Sequence, residues 1–298
     1  MSTYLITGAT GNTGKPVALG LLAAGHTVRI ISRDAAKAKT LTDKGAILFT
    51  GDTSDAALVT KALTGVDAAY FMVPMDWTSA DYTAHQVKHV NAFAAAAKAT
   101  GLKKLVTLSS VGAHLPEGNG VVNGLYRMEQ AMNAIPGLDV LHLRATYFME
   151  NTLGQAGMIK QAGIMGSPVK ADLKIPMVAT RDIGAKALAH LLSLDFSGKS
   201  VEYVLGPRDM SYNEAAGILG SAIGKPDLSY VQFPYDQAEQ AMVQQMGAGP
   251  NVAKRLIEFV QCLNEGHVME PVQRSASNTT PTDMKDFAAT FKAVYEMN

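Results

Sequence analysis

The chain has 298 residues, 47% of them hydrophobic, enough for one large domain or two modest ones with full cores. Its 26 Lys and Arg balance 26 Asp and Glu, which disfavours nucleic acid or an anionic membrane surface as the main partner. A single cysteine, Cys262, excludes an intramolecular disulfide and any cysteine-based metal motif, and fits a reducing compartment. The start, MSTYLITGATG, has no basic-then-apolar leader pattern, and no apolar run is long enough for a bilayer. A soluble, cytoplasmic protein is expected.

In chain order, apolar runs predict strands over 5–7, 28–32, 46–50, 68–73, 104–109 and 139–144. Helical spacing predicts helices over 15–24, 35–44, 54–64, 82–100 and 123–134. Four of these helices stop at a glycine: Gly25, Gly45, Gly65 and Gly101. Helix, glycine, apolar strand, repeated, is the pattern of βαβ units. Their right-handed crossovers lead to a doubly wound parallel sheet with helices on both faces. After Arg144 the rhythm breaks. The stretch 151–176 has four Gly, two Pro and no period. A helix over 181–194, capped by Thr180, and a strand over 201–205 follow. Ser211-Tyr-Asn-Glu214 reads as a capping box that opens a helix to about 223. A helical segment over 252–264 carries Cys262 as a small core residue. Thr280-Pro281 reads as cap and first-turn proline of a last helix. The expected division is a nucleotide-binding domain over 1–150, completed by 177–206, and a smaller, mostly helical domain over 151–298.

Gly8-Ala9-Thr10-Gly11-Asn12-Thr13-Gly14 follows a predicted strand and opens a predicted helix. That setting gives a glycine motif its meaning. Gly8 makes the tight turn, Gly11 leaves room for a pyrophosphate, and Gly14 lets the helix pack closely. Phosphates then sit at a helix N-terminus, where free N–H groups and the dipole favour negative charge. The second strand ends in Ser32-Arg33-Asp34. An acid at that tip would hold a ribose 2′-OH. Ser32 and Arg33 suit a 2′-phosphate instead, so NADP(H) is the expected cofactor. Asp34 belongs to the start of the next helix. Asp52, after the third strand, is placed to accept from the adenine amine or to cap the following helix.

These residues, with Leu108-Ser109-Ser110, Arg144-Ala-Thr-Tyr-Phe-Met-Glu-Asn151, Thr180-Arg-Asp-Ile-Gly184 and Leu205-Gly-Pro207, resemble the NmrA-like branch of the atypical short-chain dehydrogenases. The resemblance covers roughly residues 3–225. It implies a Rossmann sheet and contact of Thr10 to Thr13 with the phosphates. It also implies a cofactor cleft lined by Val73, Pro74 and Ser109, and a nicotinamide end lined by Tyr147, Phe148 and Asn151. The branch holds NADPH-dependent quinone and dye reductases as well as cofactor-binding redox sensors that act through protein partners.

Alcohol-oxidising short-chain dehydrogenases pair a Tyr with a Lys four residues on, and a Ser, so that the Tyr exchanges a proton near neutral pH. Here Tyr126 follows Ser109 and Ser110, but the fourth residue on is Gln130, and Arg127 points to another helix face. Tyr126 and Ser110 are therefore thin catalytic candidates. A quinone needs less help, since its oxyanion can take a proton from solvent. His85 and His89 share a helix face at zinc-binding spacing without a third ligand, so a solvated face is expected and no metal. His114, on the loop after the fifth strand, is expected to be a surface histidine, the alternative being that it approaches the active cleft. The expected function is hydride transfer from NADPH to a quinone-like small molecule, the alternative a non-catalytic NADP(H) sensor with a protein partner.

Overall fold

The structure, a computed structural model, describes residues 1–297. The first half runs β1 (Thr3–Ile6), α1 (Gly14–Ala23), β2 (Thr27–Ser32), α2 (Ala35–Thr42), β3 (Ile47–Thr50), α3 (Ala56–Leu63), β4 (Ala68–Phe71), α4 (Tyr82–Thr100), β5 (Lys104–Ser110), α5 (Asn123–Asn133) and β6 (Asp139–Ala145). The second half runs α6 (Ala156–Ala162), β7 (Ile164–Ser167), β8 (Ile175–Pro176), α7 (Thr180–Ser193), β9 (Lys199–Val204), β10 (Asp209–Met210), α8 (Tyr212–Ala222), β11 (Ser229–Gln232), α9 (Tyr235–Gln244), α10 (Pro250–Asn264) and α11 (Met284–Met297). Short 3-10 turns stand at Gly120–Val122 and Met149–Gln155.

Seven strands form one all-parallel sheet in the order β3-β2-β1-β4-β5-β6-β9. Side chains alternate across a strand, and β1 shows it. Tyr4 and Ile6 face α1 and α7, among Val17, Leu21, Ile183, Ala187 and Leu191. Leu5 faces α3, α4 and α5, among Val59, Leu63, Phe93, Met128 and Met132. The expected doubly wound sheet is therefore the observed one. α1 and α7 pack very closely. A Cβ on Gly20 would lie 2.2 Å from a Leu188 methyl. A third apolar cluster, rich in Met and aromatic residues, joins Met165, Met177, Tyr212, Leu219, Leu263 and Phe291 of the second half, and Cys262 is buried in it.

Several expectations need correction. The stretch 151–176 is not featureless: it holds α6, β7 and β8. Its strands pair with partners far along the chain, β7 in parallel with β11 and β8 antiparallel with β10. Thr180 is the first residue of α7 rather than its cap. The cap position is Ala179, and the Glu150 carboxylate accepts from Thr180 N instead. Thr280 and Pro281 do not open the last helix. Thr280 N and Oγ1 both donate to Leu205 O, and α11 starts at Met284 behind Asp283, whose carboxylate accepts from Lys285 N. The capping box at Ser211 and Glu214 is present with both of its hydrogen bonds. Among the described residues no helix is long and apolar enough to cross a membrane.

Candidate functional site

Parallel strands bring all their C-terminal tips to one edge. In β3-β2-β1-β4-β5-β6 the direction of winding reverses between β1 and β4, and a crevice opens there. The glycine loop lies in that crevice. Gly8 takes the left-handed conformation, with φ 60°, and packs on Met72 of the β4 tip. Gly11 N donates to Gly8 O at 2.9 Å, closing the turn. A Cβ on Gly14 would lie 2.4 Å from Gly8 O, so only glycine lets α1 approach the loop. On Gly11 it would meet nothing but Gly8 O, at 3.3 Å, and Thr10, Gly11 and Asn12 are exposed. Thr13 holds the N-cap of α1 but makes no side-chain cap. Its hydroxyl instead accepts from the buried Tyr70 phenol at 3.2 Å. No side chain caps the first turn of α1, although Lys15 N pairs with Gly11 O at 3.0 Å, and a phosphate fits in front of the open glycine turn.

The tips of β2 and β3 form one side of the crevice. Arg33 is 72% exposed and its Nη1 lies 3.6 Å from Asp52 Oδ2. The Ser32 hydroxyl donates to Asp34 O, and Asp34 caps α2 as expected. Asp55, not Asp52, caps α3, while Asp52 Oδ1 accepts from Ser54 N at 2.8 Å. Burial pushes the Asp52 pKa up, but the Ser54 hydrogen bonds, His89 and Arg33 more than offset it, so the carboxylate titrates below its usual range. The face carrying His85 and His89 is not solvated. His89 is buried against Thr53 Oγ1 at 2.8 Å, and His85 Nε2 meets Pro74 O at 2.9 Å. No cluster suited to a metal exists among the described residues.

The tips of β4, β5 and β6 form the other side. Val73 and Pro74 follow β4, and β4 stops at Phe71, two residues before its expected end. Ser110 ends β5, half-buried. Ser109 is buried, and its hydroxyl donates to Glu129 at 2.5 Å. Glu129, from α5, is itself buried and paired with Arg144 of β6 through two hydrogen bonds, at 2.6 and 3.0 Å. Arg144 Nη1 also reaches Tyr203 of β9 at 3.3 Å. This chain of contacts ties α5, β5, β6 and β9 together just below the crevice. Tyr126, half-buried on α5, has no side-chain hydrogen bond among the described residues. Arg127 reaches back to Asn123. Gln130 is exposed, so no cation stands by Tyr126 on its helix. Phe148 bridges to Val178, Asn151 is exposed, and Tyr147 packs edge-on against Tyr212 with ring centres 5.6 Å apart. Tyr212 in turn stacks on Tyr230 at 4.8 Å, a three-ring wall of the second half.

Glu129 went unread in the sequence, although it left a trace. Arg144 stands in the apolar strand Val-Leu-His-Leu-Arg, and a buried arginine demands a carboxylate; Glu129 lies on the apolar face of α5 with Met128 and Met132. The Thr53 partner of His89 is set by packing alone.

The sequence matches the profile of the NmrA-like family over residues 1–288. This chain belongs to the NmrA-like family. A phosphorylated butenolide reductase of Streptomyces griseus, named (4-alkanoyl-5-oxo-2,5-dihydrofuran-3-yl)methyl phosphate reductase, is 31% identical over 80% of each chain. The NAD(P)H azoreductase of Xenophilus azovorans is 29% identical over 86% of this chain and 85% of its own. Among solved structures, the NADPH-dependent quinone oxidoreductase of Escherichia coli in complex with NADPH superposes with a TM-score of 0.80. It is 22% identical, over 96% of this chain and 99% of that one. The Citrobacter triphenylmethane reductase with NADP(H) reaches 0.75 at 19% identity, over 97% and 99%. At such identities these two likenesses speak for the fold. Both of these curated relatives are named as reductases.

Proposed function

We propose that this protein is an NADPH-dependent reductase of a conjugated, quinone-like acceptor. The observation that carries the reading is the uncapped N-terminus of α1 behind the open turn at Gly11, at the switch point of the sheet. Arg33 supports NADPH over NADH, because a guanidinium at the β2 tip can pair with a 2′-phosphate once it leaves Asp52. Relatives named as an azoreductase and a butenolide reductase support an electron-poor conjugated acceptor.

The cofactor, when bound, supplies the hydride. Gly8, Gly11 and the α1 amides hold the diphosphate, with Thr10, Asn12 and Thr13 around it. Arg33, Ser32 and Asp52 take the adenosine end. Val73, Pro74, Ser110, Tyr147, Phe148 and Asn151 orient the nicotinamide end, and Ser109 stiffens it through Glu129. Tyr126 has no cation to tune it, so the oxyanion product takes its proton from water. The deciding measurement is NADPH oxidation against a panel of quinones, azo dyes and triarylmethane dyes, with calorimetry of NADPH and NADH on wild type and Arg33→Ala. We expect turnover with at least one acceptor class, and about tenfold weaker NADPH binding in the variant with NADH unchanged. NADPH binding without turnover on any acceptor would favour the sensor reading, and no binding would overturn both.

A further inference from the structure

All buried side-chain polar atoms without a well-formed hydrogen bond, among the described residues, lie on or against one segment: the connection 111–122 between β5 and α5. They belong to Gln86, His114 and Asn119. Gln86 and Asn119 still use their amide nitrogens to fasten this segment. Gln86 donates to Val121 O at 3.0 Å, and Asn119 to Gly112 O and Leu115 O at 3.0 and 2.8 Å. These two side chains have a structural task. His114 has none of that kind: both of its ring nitrogens are buried without a well-formed hydrogen bond, and only a weaker contact with the His267 backbone bears on the ring. The expected surface histidine is therefore a sequestered one. A buried polar group left unmade costs stability, and native proteins keep such groups where something else is meant to meet them.

The place of His114 in the sheet says what that is, given the reductase reading, on which this inference rests. The strand order is β3-β2-β1-β4-β5-β6. Arg33 and Asp52 put the adenosine end over β2 and β3, and the glycine loop puts the diphosphate over β1. The nicotinamide and the acceptor then lie over β4, β5 and β6. His114 sits in the turn that leaves β5 on that edge, where Val111 N still pairs with Ala145 O and Ala113 N with Ser110 O. We propose that His114 is the hydrogen-bond donor that meets the carbonyl oxygen of the acceptor. Hydride adds to the acceptor's conjugated system, an electron pair moves onto that oxygen, and the His114 N–H stabilises the oxyanion while keeping its own proton. Water supplies the proton that completes the hydroquinone.

Two features suit this task. Burial, then the nearby Arg144, lower the His114 pKa, against the opposing His267 backbone, Glu270 and Glu129. The ring is thus a neutral donor at pH 7, with no imidazolium to neutralise. The turn at 265–269 lies over it: a Cβ on Gly112 would touch both Val268 methyls at 3.5 Å, while Glu265, Gly266 and His267 are exposed.

The test compares wild type, His114→Ala and His114→Gln with two acceptors: a quinone, and a cationic triarylmethane dye that carries no oxygen. Calorimetry of NADPH and thermal melting accompany the kinetics. His114→Ala should lower kcat/KM for the quinone by about tenfold or more, with the dye changed less than about threefold by the same reasoning. His114→Gln, which keeps an N–H, should recover most of the quinone rate. NADPH affinity and Tm should hold in both, since the ring makes no well-formed hydrogen bond to the fold. Equal losses on both acceptors, no recovery with Gln, or unchanged quinone turnover in His114→Ala would overturn this inference alone. No turnover of any acceptor by wild type would overturn the reductase reading, and this inference with it.

Discussion

Gly11 and Gly14 share one loop and answer to different constraints. At Gly14 the space for a Cβ is taken by Gly8 O at 2.4 Å, Gly8 C at 2.7 Å and Ala9 Cα at 3.1 Å, all of them main chain. No side chain can swing away, so Gly14→Ala must push α1 off the loop. Overpacking of this kind costs about 1–3 kcal/mol, or several degrees of Tm at roughly 2–4 °C per kcal/mol for a chain near this size. At Gly11 only Gly8 O comes near, at 3.3 Å, and the residue faces solvent. Gly11→Val should melt within about 2 °C of wild type, as exposed substitutions do, yet fail to bind NADPH by calorimetry, because its side chain stands where the diphosphate goes. A Gly11→Val protein that binds NADPH at wild-type strength would mean that the phosphates sit elsewhere. A Gly14→Ala protein with unchanged Tm would mean that α1 is not held against the loop.

At the scale of elements, α7 depends on a carboxylate thirty residues upstream. Both oxygens of Glu150 accept from Thr180 N, at 3.1 and 3.0 Å, and Oε1 also accepts from the Thr180 hydroxyl at 2.5 Å. A negative charge at a helix N-terminus also meets the helix dipole favourably. Glu150→Ala should cost about 1–2 kcal/mol, as loss of a good cap does, and Glu150→Gln about half of that, since it keeps an acceptor but no charge. Urea unfolding of both variants measures this; a loss below a few tenths of a kcal/mol would show that Thr180 finds another partner. The same contact marks where sequence reading stops. In the first half each strand and helix is announced by its own apolar period, four of the helices also by a glycine stop, and the order βαβ then dictates the sheet. The glycine loop and the β2 tip were legible because their neighbours in sequence are their neighbours in space. Glu150 with Thr180, β7 with β11, Thr280 with Leu205, and Glu129 with Arg144 are not local. No periodicity carries them, and the turn chemistry at Thr180 and Thr280 pointed to the wrong caps because tertiary hydrogen bonds took those residues for other tasks.

At the scale of the whole molecule, close packing of helices on both sheet faces buries two imidazoles. His142, within β6, is fixed between the Thr107 hydroxyl at 2.7 Å and Asn133 Oδ1 at 3.0 Å. Burial pushes its pKa down to about 4; Glu129 opposes this, while Arg144 and Lys199 add to it. His89, beneath the β3 tip, is also pushed to about 4 by burial, with Asp52 opposing and His85, Lys88 and Arg33 assisting. In the unfolded chain both titrate near 6.5. Above that value neither state binds the proton, and the two histidines leave stability independent of pH. Between about 6.5 and 4 the unfolded chain takes up protons that the folded protein refuses, so stability falls as pH falls. The limiting slope is on the order of 1.4 kcal/mol per pH unit for each histidine. By pH 4.5 the two groups together remove about 5 kcal/mol, a large share of the roughly 5–15 kcal/mol of an ordinary domain. Carboxylates such as Glu202, held low against its burial by His190 and Lys186, extend the loss at lower pH. We expect urea midpoints that are level from pH 8 to 7 and drop steadily from pH 6.5 to 4.5. His142→Asn should be less stable at pH 7, because it gives up one of two buried hydrogen bonds, yet should show a shallower drop, by one proton's worth of slope. An unchanged slope in that variant would mean that His142 takes up its proton within the folded protein, and acid lability would then have to come from His89, from His114, whose pKa burial also lowers, or from the carboxylates.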